Sequence, residues 1–365
     1  MESDEKVQEL LNRTILVKDF IELWAEADSL EALHIQIKTK LEIFDPLRAA
    51  SFKFLVKSYG KAYTPKEQVA IINTFAYSNL TGDIKMKDPD IIYGVFVNRV
   101  DDSGKEYFYF GRYVGRSLRG KHIEAMDLKK REYLGTTSMD AELSLIMSNM
   151  GLIKPGSFAY DPFVGTGSFL YTCSYFGAYT MGSDIDGRQM RGKLKSSTQN
   201  RGPKYKKLVE ESEEFPSIFT NVKQYNLDGL VLDCLVLDMA HHPFSDRLKL
   251  SAIVTDPPYG VRAGAKKLGA ATPKDSKPIP LEYRPITYPT TQPYAIDELT
   301  TDLYNFACNH LLPLGRLVFW YPVDDEERET FNLENVIRHD KLKFISASLH
   351  RCKGFDRWLI TMELE

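Results

Sequence analysis

Apolar and polar positions alternate differently in the two parts of the chain. Up to about residue 110, short helical and strand-like stretches are interleaved. Apolar residues recur at helical spacing over Glu5–Asn12, Ser29–Lys40 and Pro65–Tyr77, the last with Thr64 placed as an N-cap. Period-two runs occur at Ser51–Val56, Ile91–Val97 and Tyr107–Phe110. The last two are joined through Asp101-Asp102-Ser103-Gly104, a turn sequence that predicts a hairpin. Residues 112–135 are basic, glycine-punctuated and weakly periodic, and read as a linker.

Beyond the linker the alternation becomes regular. Ser138–Met150 has helical spacing with Thr137 or Ser138 as its cap. Strands at Phe158–Tyr160, Ala178–Ser183, Leu230–Leu237, Ala252–Thr255 and Arg316–Tyr321 then alternate with helices from Ser168, from Gly187, at Ile218–Tyr225 and at Ile296–Leu312. This order predicts a mostly parallel sheet with helices on both faces. Phe344–Leu349 and Trp358–Leu364 would close it as an antiparallel hairpin. The expected class is α/β over residues 136–365, preceded by an α+β domain over 1–111. Between Ala271 and Pro293 stand six prolines, in a connection too long for an ordinary strand-to-helix loop and placed where such loops serve a site.

Composition narrows the class. With 365 residues, 43% hydrophobic and 27% charged, the chain is neither disordered nor fibrous. The longest apolar run, Leu311–Val323, is broken by Pro313, Gly315, Arg316 and Pro322 and is too short for a bilayer. Met1–Leu10 has no apolar core of a secretory signal, so a cytoplasmic chain is expected. Cys173, Cys234, Cys308 and Cys352 form no CxxC pair, and no metal site is expected. The adjacent His241 and His242 read as surface residues. Net charge is −3, but it is unevenly spread: from Gly187 to Lys207 there are basic residues and no acid, and a second basic run lies over Arg112–Arg131. Such runs suit a polyanion or are simply solvated.

The candidate chemistry sits at strand ends. Asp161-Pro-Phe163-Val-Gly165-Thr166-Gly167-Ser follows a short strand and opens a helix. The glycines allow a tight turn and close approach to a ligand, but Leu170 stands where a dinucleotide fingerprint needs its third glycine. A carboxylate at Asp161 would repel a pyrophosphate and suit a cation, such as the α-ammonium of S-adenosylmethionine. Asp184 ends the next strand, placed to accept from both hydroxyls of a ribose, with Ile185 beside it; Asp186 suits a helix cap. Asp238 and Met239 end the third strand, where Asp238 is placed to accept from an adenine amine. The fourth strand runs into Asp256-Pro257-Pro258-Tyr259-Gly260. Prolines lack N–H donors and fix φ, so the Asp256 carboxylate and nearby carbonyls form an acceptor cluster. That cluster can grip the exocyclic NH2 of a base on which Tyr259 stacks. Methyl transfer to that nitrogen then depends on positioning. The cofactor set is thus Asp161, Phe163, Gly165, Thr166, Gly167, Asp184, Ile185, Asp238, Met239 and Asp256; the catalytic set is Asp256, Pro257 and Tyr259.

DPFVGTGS, SDID and DPPYG, with the segment Asp127-Leu-Lys-Lys-Arg-Glu-Tyr-Leu-Gly-Thr-Thr-Ser138, resemble the eukaryotic tRNA guanosine N2-methyltransferases that modify position 10, in their catalytic subunit. DPPY alone is shared with DNA and RNA amino-methyltransferases generally. The resemblance runs from about Val7 to the C-terminus. It implies a THUMP-type RNA-binding domain before a class I methyltransferase fold of strand order 3-2-1-4-5-7-6, and S-adenosylmethionine as methyl donor. It also implies tRNA as partner, and the basic segment with Arg112, Lys129, Lys130 and Arg131 is where a bound tRNA is expected to cross. A small zinc-containing activator subunit is implied as second partner. Its expected seat is the edge strand Leu230–Leu237, in which only Asp233 is polar. Family members carry a further N-terminal stretch, so this chain is expected to lack part of that domain. The rival expectations are an adenine-N6 methyltransferase, which should lack the front domain, and an inert tRNA-binding subunit, which has no need of Asp256.

Overall fold

Contacts divide the chain into two units, Met1–Lys121 and His122–Glu365. The structure is a computed structural model that describes residues 4–60, 62–99, 105–135, 138–191, 216–258, 264–269 and 291–365.

The first unit runs α1 (Asp4–Arg13), β1 (Asp19–Ala27), α2 (Leu30–Lys38), β2 (Phe52–Tyr59), α3 (Pro65–Asn73), β3 (Ile91–Arg99) and β4 (Glu106–Arg116). Its sheet has the order β1-β4-β3-β2, with β2 and β3 parallel and the other pairs antiparallel. Helix starts follow the expected chemistry. Ser29 accepts from the Ala32 amide at the head of α2, and Thr64 and Glu67 satisfy each other's backbone amides in a capping box at α3. Trp24, Phe44, Tyr93 and Phe110 make an aromatic core with α2 and α3 packed on it.

β1 is an element the hydropathy pattern does not signal. Register shifts at Phe20/Ile21 and Leu23/Ala25 break the period-two alternation that would mark it. Gly111 explains how it pairs: a Cβ there would lie 1.9 Å from the Glu22 carbonyl oxygen, so only glycine lets β1 approach. Of the glycines read as linker punctuation, Gly115 is a strand residue, because β4 continues to Arg116, whereas Gly120 and Gly135 lie outside the sheet. The hairpin turn 101–104 lies outside the described residues.

The second unit carries a seven-stranded sheet. Its strands are β5 (Phe158–Asp161), β6 (Tyr179–Asp184), β7 (Val231–Val236), β8 (Leu250–Thr255), β11 (Leu311–Asp324), β12 (Leu342–Cys352) and β13 (Phe355–Leu364). The spatial order β7-β6-β5-β8-β11-β13-β12 is the expected 3-2-1-4-5-7-6. The first five are parallel, and β13 runs antiparallel between β11 and β12. Short strands β9 (Lys266–Leu268) and β10 (Thr291–Pro293) pair beside it. The helices are α5 (Ala141–Met150), α6 (Ser168–Tyr175), α7 (Gly187–Met190), α8 (Ile218–Gln224), α9 (Ile296–His310) and α10 (Glu334–Ile337), while α4 (Arg119–Ala125) spans the boundary between the units. Tyr160, Ile253, Leu303, Phe306, Leu317, Phe319 and Ile360 pack the core between α9 and the sheet.

Two local expectations change. The cap of α5 is Asp140, whose Oδ1 accepts from the Glu142 and Leu143 amides; Ser138 does not fill that role, and Thr137 lies outside the described residues. Residues 130–134 are no loose tether. The Asn221 side chain of α8 clamps both the N–H and the carbonyl of Tyr133, at 2.8 and 2.7 Å. Gln224 does the same for the Glu132 amide and the Lys130 carbonyl.

Candidate active site

Four acids lie at the C-terminal ends of adjacent parallel strands, where open α/β sheets bind ligands. Asp161 ends β5, Asp184 ends β6, Asp238 follows β7 and Asp256 follows β8. Gly165 and Gly167 make the turn after β5 at φ 48° and 87°, a region that favours glycine. A Cβ on Gly167 would also meet the Tyr171 hydroxyl at 2.7 Å.

Asp161 is 1% exposed. Its Oδ1 accepts from Thr255 Oγ1 at 2.6 Å and from the Phe163 amide at 3.0 Å. Its Oδ2 is buried without a hydrogen-bond partner among the described residues. Burial pushes the Asp161 carboxyl up to about 8, and the charges of Asp184 and Asp256 add to the shift. Asp184 Oδ2 accepts from the Gly165 amide at 3.0 Å and Oδ1 from the Asp186 amide at 2.8 Å. Desolvation raises its carboxyl to about 6. Asp186 caps α7 through the Arg188 amide and ion-pairs with that guanidinium.

The other cofactor positions are placed as follows. Phe163 packs on the core, Ile185 is partly exposed beside Asp184, and Thr166 is buried with its hydroxyl 2.7 Å from Ser138 Oγ. Asp238 is more committed than its sequence suggests: it accepts from the Ala240 amide, from His241 Nδ1 at 2.7 Å and from the Leu268 amide at 2.9 Å. The Met239 side chain is packed in the core, so this position offers a ligand only its backbone. Asp256 and Pro257 follow Thr255 directly, while Tyr259 lies outside the described residues, as do 270–290 of the proline-rich insertion and most of the basic run 187–207.

The basic residues divide. Lys129 is exposed, and Lys130 is exposed with an ion pair to Glu124 at 2.8 Å. Arg131 is not on the surface; at 3% exposure it is sandwiched by Tyr171 and Tyr225 and donates to Ser168 Oγ at 3.0 Å. It braces the start of α6 and offers almost none of its surface to solvent. In the first unit, Arg112 is held by Asp4 and Glu22. His242 is only partly exposed: its ring packs against Phe306 and His310, and burial lowers its pKa.

Two contributors carry no signal in the sequence motifs. Gly182 on β6 faces Val164, where a Cβ would come within 2.5 Å, so it seats the glycine turn. Thr255 reads as an ordinary strand residue until the fold sets it against Asp161.

Comparison with known proteins adds the family context. A model of the Tmrp11 THUMP N-terminal domain matches residues 1–119, and one of the RMKL-like methyltransferase domain matches residues 129–271. The tRNA (guanine(10)-N(2))-methyltransferase of Schizosaccharomyces pombe is 38% identical over 366 residues, which cover 99% of this chain and 72% of that protein. The protein of the same name from Saccharomyces cerevisiae is 34% identical, covering 98% and 81%. Human tRNA (guanine(10)-N(2))-methyltransferase TRMT11 is 32% identical, covering 99% and 78%. Among solved structures, TrmN from Thermus thermophilus aligns over 96% of this chain and 84% of its own at 15% identity, with a TM-score of 0.41. No helix among the described residues is long and apolar enough to cross a membrane.

Proposed function

The chain belongs to the tRNA (guanine(10)-N(2))-methyltransferase family, and on that premise we propose how its residues carry out the family's reaction. It is an S-adenosylmethionine-dependent tRNA methyltransferase acting on the N2 amine of a guanosine, at position 10 in the relatives' names. One observation carries the cofactor reading: Asp161 Oδ2 is a buried carboxylate oxygen without a donor among the described residues, beside a glycine turn. Such an oxygen is costly unless a ligand donor reaches it, and the α-ammonium of S-adenosylmethionine is a donor of matching charge. Asp184, already anchoring the Gly165 amide, is the proposed ribose acceptor. The cofactor supplies a methyl group on a sulfonium.

The rest of the chemistry is the chain's own. Asp256 and the carbonyls beside Pro257 are the proposed acceptors for the two hydrogens of guanine N2. Drawing on both hydrogens frees the nitrogen lone pair, which ring delocalisation otherwise withholds. Pro257 and Pro258 stiffen the turn, and Tyr259 is the proposed stacking surface for the flipped base. Lys129 and Lys130 are proposed contacts for the tRNA backbone. The cytoplasm is the proposed place of action, which suits four cysteines that form no disulfide.

A small zinc-binding activator is the proposed second subunit, adding to the edge of β7. Among the described residues β7 pairs with β6 alone, and Leu232 and Val236 are 51% and 52% exposed there. An apolar sheet edge of this kind favours pairing with another chain. Val231, which the sequence places on the open edge, is buried instead.

Nucleoside mass spectrometry of unmodified tRNA incubated with labelled S-adenosylmethionine, with and without the activator, tests the reading. N2-methylguanosine at position 10 is expected. Label in N6-methyladenosine would favour the adenine reading, and no label under either condition would favour an inert subunit.

A further inference from the structure

We propose that Thr255 is a positioning residue of the cofactor site, whose hydroxyl locks the Asp161 carboxylate so that Oδ2 alone is left for the α-ammonium of S-adenosylmethionine. The inference rests on the cofactor reading above and adds a residue that this reading does not use. Thr255 is the last residue of β8, fully buried, and directly precedes Asp256. β8 lies parallel to β5 in the register Ala159↔Ala252 and Tyr160↔Ile253. That register brings the Thr255 hydroxyl to 2.6 Å from Asp161 Oδ1. The Phe163 amide donates to the same oxygen at 3.0 Å. Both protein donors therefore fall on Oδ1, and they fix the carboxylate from two directions. Oδ2, equally buried, is left without one among the described residues. One side chain thus ties the acceptor for the cofactor to the strand end that carries Asp256.

The surrounding charges give the lock a measurable consequence. Asp184 at the tip of β6 and Asp256 at the tip of β8 face Asp161 and, with burial, raise its carboxyl to about 8. The hydrogen bonds from Thr255 and Phe163 pull it down. The Asp161 charge also reaches Tyr160 on β5 and Cys234 on β7. At pH 7 the empty site therefore keeps a proton on Asp161. An ammonium ligand needs the anion, so binding sends that proton to solvent. Without the Thr255 hydroxyl the carboxyl rises further and gives the proton up less readily.

Calorimetric titration of the full chain between pH 6 and 9 tests this. The probes are S-adenosylhomocysteine, which carries the same ammonium, and 5′-methylthioadenosine, which lacks the amino-acid portion. For the wild type, S-adenosylhomocysteine should bind more tightly as pH rises, levelling off above about 8. Close to one proton should be released at pH 7, read by repeating the titration in buffers of different ionisation enthalpy. Thr255→Val should weaken S-adenosylhomocysteine at pH 7 by roughly tenfold or more and move the levelling-off to higher pH. Thr255→Ser should restore both, and 5′-methylthioadenosine should bind all three proteins alike. If Thr255→Val weakens the two ligands equally, or leaves S-adenosylhomocysteine unchanged at every pH, the positioning role is wrong and the cofactor reading stands. A wild type that binds neither ligand overturns the cofactor reading and this inference with it.

Discussion

Asp184→Asn should trade cofactor affinity for stability in a pH-dependent way. The carboxyl of Asp184 is raised from 3.8 to about 6 because folding removes it from water. At 1.36 kcal/mol per unit, ionised Asp184 costs the empty protein roughly 3 kcal/mol at pH 7, an upper figure because the residue keeps some solvent contact. The sign follows from the raised folded value. Between pH 3.8 and 6 the folded state binds more protons than the unfolded one, so this group lowers stability as pH rises. At pH 5 the cost is only about half as large. Asparagine keeps one acceptor oxygen for the two amides of Gly165 and Asp186 and turns an NH2 on the other. That loss is the same at every pH. The stability of the variant relative to wild type should therefore climb by about 1 kcal/mol from pH 5 to pH 7 and stay level above. Urea unfolding of both empty proteins across that range measures it. S-adenosylhomocysteine affinity should fall roughly tenfold or more, because the ribose hydroxyls lose an ionised acceptor. A flat stability difference would mean that Asp184 is not a desolvated anion. Unchanged affinity would mean that it does not hold the ribose.

Asp256→Ala should cut methyl transfer on the order of 10²-fold or more while S-adenosylhomocysteine affinity stays within a few-fold; near-wild-type turnover would remove Asp256 from the nucleophile site. Lys129→Glu with Lys130→Glu should weaken tRNA binding and reduce its salt slope by about two units, whereas an unchanged slope would mean that both are merely solvated. Arg131→Ala should leave that slope unaltered and cost about 2–4 kcal/mol in urea unfolding, since two aromatic contacts and the Ser168 bond are lost from a buried site. Leu232→Lys with Val236→Lys should abolish co-purification with the activator and spare cofactor binding; a complex that survives would place the partner elsewhere.

Much of this protein is written in local pattern. The alternation of strands and helices after residue 136 identifies the parallel sheet, because each element must present an apolar face or stripe to its neighbours. Ser29 and Thr64 announce their helices, since only a side-chain oxygen there satisfies the first amides. The glycine turn and the strand-end acids are visible because ligand chemistry demands those residue types at those points. Other features depend on partners distant in sequence. β1 is hidden by its bulges and accommodated by Gly111, some 90 residues away. Asp238 looks like an open acceptor until Leu268 and His241 occupy it. Arg131 looks like a phosphate ligand until Tyr171 and Tyr225 enclose it. Thr255 has no mark of function until parallel pairing sets its hydroxyl on Asp161. A sequence thus determines which residues can cap, turn, alternate or carry charge, because those properties act over a few neighbouring positions. Which of the charges are buried, and which acceptors remain open, is decided only by the tertiary structure, because desolvation and hydrogen-bond geometry depend on atoms that the chain brings together from far apart.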